Sequence, residues 1–184
     1  MIARPLTLAR LRRARAQRQP IPAHAPTPTD RAMMRRALEL AEQAGASGEV
    51  PVGAVVYEIA TARVLGEASN TREHARDPAG HAEFLAVQHA ARALGDWRLT
   101  GCAVAVTLEP CPMCAGLLVN ARLTRVVYGA DDPKAGACRS LYALLTDPRL
   151  NHRAEVVPGV MGEQAAALLR AFFRARRRGA DAGA

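Results

Sequence analysis

Aromatic residues make up only 4% of this 184-residue sequence, too few for the stacking surface that general single-strand nucleic-acid binders present. Lysine is nearly absent: among 25 basic residues Lys134 is the single one, and arginine supplies the rest. Four cysteines do not make a disulfide framework in a chain of this length, which fits a reducing compartment and a cytoplasmic protein. No apolar run approaches the ~18 residues that a membrane span requires, so no membrane is expected as a partner. There is no internal repeat. What is present is a chain that is 49% hydrophobic, enough for one core and short for two domains.

The formal net charge is +8, and it sits at the two ends. Residues 1–29 carry Arg4, Arg10, Arg12, Arg13, Arg15 and Arg18 with no acid, and Arg170, Arg174, Arg176, Arg177 and Arg178 crowd the far end. Two basic ends suit a polyanion, most simply a nucleic acid. Cations near a helix C-terminus also complement its macrodipole without any partner. Residues 1–30 read as a basic, Pro-containing, disordered N-terminal extension, with Pro20, Pro22, Pro26 and Pro28 in its second half. A basic arm, an organelle presequence and an early start codon all fit it. Residues 31–178 hold the domain, and 179–184 form a flexible C-terminus.

Thr29 or Asp30 is placed to cap a helix running to about Gly45, with Met34, Leu38 and Ala41 as its stripe. Residues 50–57 read as a buried strand and 63–68 as its hairpin partner. A polar loop is expected over 70–80, then a helix over 82–94 with Leu85, Ala86, His89, Ala90 and Ala93 on one side. A strand over 103–108, a helix over 112–121, a strand over 125–128 and a loop over 130–140 follow. A short helix at 140–146 and a strand at 154–157 precede a closing helix over 162–178, whose apolar face is Ala165, Leu168, Leu169, Phe172 and Phe173. Strands alternating with helices predict an α/β sandwich with helices on both faces of the sheet.

Chemistry concentrates in two places. His81-Ala82-Glu83 stands where a polar loop becomes a helix, and Pro110-Cys111-Pro112-Met113-Cys114 where a buried strand becomes one. Cys111 and Cys114, at i and i+3, leave one face of a helical turn. At a helix start, free N–H groups and the macrodipole favour thiolate over thiol. Alone, Cys-x-x-Cys fits a redox pair, half a zinc ribbon or core cysteines, and a lone His-x-Glu says little. Together, two thiolates and one imidazole make a three-ligand zinc site with a fourth position open to water, the pattern of a catalytic centre. Glu83 lies beside a ligand without pointing at the metal, so it can carry a proton from water to a substrate nitrogen. His89, on the apolar side of its helix, reads as a satisfied core histidine.

In these motifs the chain resembles the zinc-dependent cytidine/deoxycytidylate deaminase superfamily. Within it the chain is similar to the bacterial tRNA-specific adenosine deaminases, through Glu49–Val55, Asn70, Asp77-Pro78, Thr107–Gly116, Arg125–Ala130, Asp132–Ala137, Asn151-His152-Arg153 and Phe172-Phe173-Arg174. The resemblance implies a three-layer α/β/α sandwich with a five-stranded mixed sheet, a homodimer, one zinc per subunit, and hydrolytic deamination of the wobble adenosine (position 34) of a tRNA anticodon to inosine. It carries over His81, Cys111 and Cys114 as ligands and Glu83 as the proton shuttle. It also implies Asn70 against the flipped base, Asp132 near its ribose and Arg174 near the anticodon stem. The chain departs from the family pattern at Thr71-Arg72, Arg76, Phe84 and Cys138, all outside the ligand set. Two other functions compete: a deaminase of a free nucleobase or nucleotide such as guanine, cytosine or deoxycytidylate, and a zinc-stabilised RNA-binding module, for which Glu83 would have no use.

Overall fold

The computed structural model describes residues 24–181. Most of the expected N-terminal extension, residues 1–23, lies outside them, as do residues 182–184. Helix α1 spans Pro28–Ala46. Its start differs from the expectation: Thr27 is the N-cap, and Asp30 is the third helical residue. The Thr27 N–H donates to Asp30 Oδ2 at 2.7 Å and the Asp30 N–H to Thr27 Oγ1 at 3.1 Å, a reciprocal capping box. Pro28 at the first helical position needs no donor there, which moves the helix start ahead of the two other good cappers, Thr29 and Asp30.

Strands β1 (Gly53–Glu58) and β2 (Val64–Ser69) form the expected hairpin, followed by β3 (Cys102–Leu108), β4 (Arg125–Ala130) and β5 (Glu155–Val157). The sheet order is β2-β1-β3-β4-β5. β1 is antiparallel to both neighbours, whereas β3, β4 and β5 run parallel. The pleat sorts side chains by parity. Val55, Tyr57, Ala103, Ala105 and Val127 pack against α1 and the closing helix. Ala54, Val56, Val104, Val106, Val126 and Tyr128 pack against the helices that follow β2 and β3. The result is a three-layer α/β/α sandwich around a five-stranded mixed sheet.

A four-residue helix, α2 (Arg72–Ala75), breaks the expected 70–80 loop and ends on Arg76 at φ 50°. Helix α3 covers Ala82–Leu94, α4 Pro112–Asn120 and α5 Gly162–Asp181. The expected helix at 140–146 is only a 3-10 turn, Leu144–Thr146, pinned by buried Leu145. α3 is rotated from its expected face: Ala82, Glu83, Ala86, Val87 and Ala90 are buried, while His89 and Ala93 are exposed. The cause is close packing on β2. A Cβ added at Gly66 would stand 2.4 Å from the Ala86 carbonyl oxygen, so the smallest side chains must face the strand. His89 therefore sits at the rim, with Nδ1 3.0 Å from the Glu67 carbonyl oxygen. Among the described residues no helix is long and apolar enough to cross a membrane.

Candidate functional site

The site forms where two helices begin at one end of the sheet. His81 is the N-cap of α3, and Cys111 is the N-cap of α4 with Pro112 behind it. Neither side chain caps its own helix; both turn to the gap between the helix starts. Cys111 Sγ lies 3.7 Å and Cys114 Sγ 3.6 Å from His81 Nδ1, and the three ligand atoms all lie within 4.8 Å of one another. A tetrahedral zinc, with Zn–S near 2.3 Å and Zn–N near 2.0–2.1 Å, puts its nitrogen and sulfur ligands about 3.6 Å apart. The donor set and the spacing therefore fit zinc. Cys102 and Cys138 are buried free thiols outside the trio.

The electrostatics are those of a site made for a cation. The hydrogen bond from Cys114 pulls the Cys111 thiol down to about 4, against burial and with help from His81. That same bond, together with burial, pushes Cys114 upward, and the Cys111 contact raises His81. Three ligands thus share protons in a place where a divalent ion would replace them. Glu83, the second residue of α3, is 5% exposed. Burial pushes its carboxyl upward, opposed by the Cys114 thiol that hydrogen-bonds to it. A carboxyl with its protonated form favoured in this way can take a proton and return it.

Two loops flank the trio, and each is folded about a buried carboxylate to which the sequence alone assigns no role. The Thr71 N–H donates to the Gly80 carbonyl at 2.9 Å, so Asn70 and His81 stand on either side of the neck of the 71–80 loop. Asn70 Nδ2 donates to Glu49 Oε2 at 3.0 Å. On the other side, Glu109 accepts N–H bonds from Asp132, Cys138, Arg139 and Ser140 and a bond from the Ser140 hydroxyl. Burial alone would raise Glu109, but Ser140 and the other donors hold it below the usual carboxylate value. Residue 136 must be glycine, because a Cβ there would come within 2.2 Å of Glu109 Oε2. Asp132 shapes its own turn, accepting the Lys134 and Ala135 N–H groups at 2.9 and 3.2 Å. The one available signal for either glutamate was an acid inside an apolar stretch: Glu109 follows Leu108, and Glu49 precedes Val50-Pro51-Val52. The structure thus gathers His81, Glu83, Cys111 and Cys114, with Asn70 at the neck and Asp132 in the opposite loop. It places Arg174 elsewhere, exposed on α5, in the layer opposite α3 and α4.

A sandwich of this topology, with a His/Cys/Cys trio at two helix starts and a buried glutamate beside it, defines a zinc-type nucleobase deaminase. Residues 29–177 match the family model of the MafB19-like deaminases. The chain is 46% identical to a tRNA-specific adenosine deaminase of Bacillus subtilis (strain 168) over 149 residues, 81% of this chain and 91% of that protein. To the tRNA-specific adenosine deaminase of Haemophilus influenzae it is 43% identical over 148 residues, 80% of this chain and 85% of the relative. A solved structure from work on A-to-I editing by tRNA:A34 deaminases at the wobble position is similar with a TM-score of 0.71 and 38% identity, covering 75% of this chain and 99% of that one. The chain belongs to the MafB19-like deaminases and to the tRNA-specific adenosine deaminase family.

Proposed function

We propose that this chain converts adenosine to inosine by hydrolysis at the wobble position (34) of a tRNA anticodon, with one zinc ion per subunit held by His81, Cys111 and Cys114. The observation that carries the reading is the trio at 3.6–3.7 Å with a buried carboxyl, Glu83, two residues from a ligand. The tRNA-specific names of its relatives support the substrate. His81, Cys111 and Cys114 would hold the zinc, which would supply a bound water made acidic, with a pKa of about 7. Glu83 takes the proton of the attacking water as oxygen bonds to C6 of the adenine. It delivers that proton to N1, then takes the proton of the new C6 hydroxyl and passes it to the departing amine, so that the carbonyl forms at C6, the C6–N6 bond breaks and ammonia leaves. The adenosine must leave its stack to reach the pocket, which is easiest in an anticodon loop.

Asn70 contacts the base, Asp132 lies near the ribose and Arg174 near the anticodon stem. The protein works as a homodimer in the cytoplasm. Met113, an exposed large apolar side chain on α4 next to the ligand Cys114, supports the dimer, since a second copy would cover it. The test is incubation of the zinc-loaded protein with an unmodified tRNA bearing A34, read by sequencing for inosine, with free guanine, cytosine and deoxycytidylate in parallel. Inosine confined to position 34 is expected. Ammonia released from a free base or nucleotide and none from tRNA overturns the reading in favour of a small-molecule deaminase.

A further inference from the structure

The Glu49 carboxylate stands outside the metal trio, and its contacts concern Asn70. It is 2% exposed. Its Oε2 accepts Asn70 Nδ2 at 3.0 Å and the Glu73 N–H at 3.2 Å, its Oε1 accepts the His74 N–H at 2.7 Å, and His74 Nδ1 lies 3.6 Å from it. Burial alone would raise its pKa; the N–H groups of His74 and Glu73 and the Asn70 amide hold it below the usual value. An ionised carboxylate only accepts. The end of the Asn70 amide that faces Glu49 is therefore its NH2, and the carbonyl oxygen is turned away. That oxygen accepts no hydrogen bond from any described residue. The Asn70 backbone is itself fixed, its N–H donating to the Val52 carbonyl at 2.9 Å. An oriented, unpartnered acceptor thus stands across the loop neck from His81.

We propose that Glu49 is a positioning residue that holds Asn70 with its carbonyl oxygen free for the base, so that the site presents an acceptor to an N–H of the substrate. This rests on the adenosine deaminase reading above. The only N–H group on the adenine ring system of a nucleoside is the 6-amino group, so the acceptor matches the group at C6 of a 6-amino purine, where a 6-oxo purine sets a second acceptor against it. Glu49 selects between them without touching either.

The experiment compares zinc-loaded wild type, Glu49→Gln, Asn70→Asp, Asn70→Ala and the double variant E49Q/N70D on a wobble-adenosine stem-loop. Single-turnover rate, kcat/KM, zinc content and thermal midpoint are read for each. In E49Q the new amide can donate to Asn70 and let it turn its NH2 to the base, and kcat/KM falls about 10- to 100-fold with zinc retained. N70D sets two carboxylates against each other and falls further than N70A. In the double variant the amide introduced at position 49 donates to the carboxylate introduced at position 70, which still presents an oxygen to the base. Activity then returns to within about fivefold of wild type. A purely stabilising Glu49 would give no such recovery.

A wild type active on the stem-loop with E49Q unchanged, or with the folded double variant no better than the worse single, overturns the proposal alone. Should E49Q not fold, N70D losing no more than N70A overturns it. A wild type inactive on the stem-loop overturns the functional reading and the proposal with it.

Discussion

The two faces of the sheet each bury a polar cluster, and the clusters are built on opposite rules. On the α1/α5 face, Asp30 accepts the Tyr57 hydroxyl at 2.5 Å, Arg125 Nη2 at 2.6 Å and the Thr27 N–H at 2.7 Å. Arg125 also donates to Glu155 at 2.5 Å and to the Ala25 carbonyl at 3.0 Å. Donor meets acceptor at each of these contacts; the exception lies inside the cluster, where Arg125 Nε is the one fully buried side-chain nitrogen or oxygen among the described residues that lacks a partner. On the α3/α4 face, two cysteine sulfurs and an imidazole nitrogen lie within 4.8 Å of one another. All three offer electron pairs to one point. A cluster whose charges pair with one another is architecture, whereas one that gathers electron-pair donors of a single kind has the chemistry of a cation site. Donor type locates function in this fold better than burial does, because each cluster holds buried side chains: Asp30 and Arg125 in one, Cys114 in the other.

The comparison breaks most sharply at the ligands. Cys114→Ala is expected to leave little zinc bound and no measurable deamination, while the protein keeps its fold around the Asp30 cluster. Metal analysis alongside circular dichroism decides it, and full zinc occupancy in the variant removes Cys114 as a ligand. Glu83→Gln comes next. It spares the ligands and removes the proton carrier, so zinc stays and the single-turnover rate falls about 10²- to 10⁴-fold. Near-normal turnover would assign the proton transfers to another group.

The closed cluster is expected to affect stability and not chemistry. Asp30→Asn leaves Arg125 short of a buried counter-charge, a loss of about 3–5 kcal/mol at pH 7. Burial alone would raise the Asp30 pKa, but the bonds from Arg125, Tyr57 and Thr27 outweigh it and lower the value. A folded value below the unfolded one, near 3.9, means that this contribution is present above about pH 4 and is lost as the pH falls through the folded value. The gap in unfolding free energy between wild type and the variant should therefore be widest near neutrality and narrow below pH 4. Urea denaturation at pH 7 and pH 3 reads it directly; a gap independent of pH would mean that Asp30 acts by packing alone.

The ligand trio was legible in the sequence because metal chemistry dictates residue type and spacing together. The same holds for the layer order, since apolar strand runs alternating with helical patterns carry it. What was illegible follows from contacts that dictate no residue type. Glu49 and Glu109 hold their loops through backbone N–H groups 23 to 31 residues away, and any residue but proline supplies such a donor. The face of α3 was misjudged because alanine marks neither side of a helix, and the decision fell to a glycine, Gly66, on a neighbouring strand. At α1, three cappers within four residues competed, Thr27, Thr29 and Asp30, and the capping box between Thr27 and Asp30 settled the start.

The smallest expected effect concerns the basic ends, where both clusters should be silent. Arg174, Arg176 and Arg177 are exposed on α5. That helix is anchored to the sheet by buried Ala165 and by Leu168 and Leu169, which pack against the same core. The Arg176 guanidinium lies over the Phe172 ring at 5.4 Å, and Phe172 meets Phe173 edge-on with centroids 5.4 Å apart. These charges are carried on a rigid element, whereas Arg170 is already engaged with Glu163 at 3.4 Å. Each phosphate that such a charge neutralises adds roughly 0.7–0.9 to the slope of log affinity against log salt. Replacing Arg174, Arg176 and Arg177 by glutamine should weaken tRNA binding several-fold at low salt and flatten its salt dependence. The zinc content and the single-turnover rate at saturating RNA should not change. Deleting residues 1–23, with their six arginines, should cost less, because it leaves the arginines of α5 in place. Affinity for tRNA against salt for the two variants is the measurement. A larger loss from the deletion makes the N-terminal extension the principal RNA contact, and no loss from either shifts the weight to a free nucleobase or nucleotide as substrate.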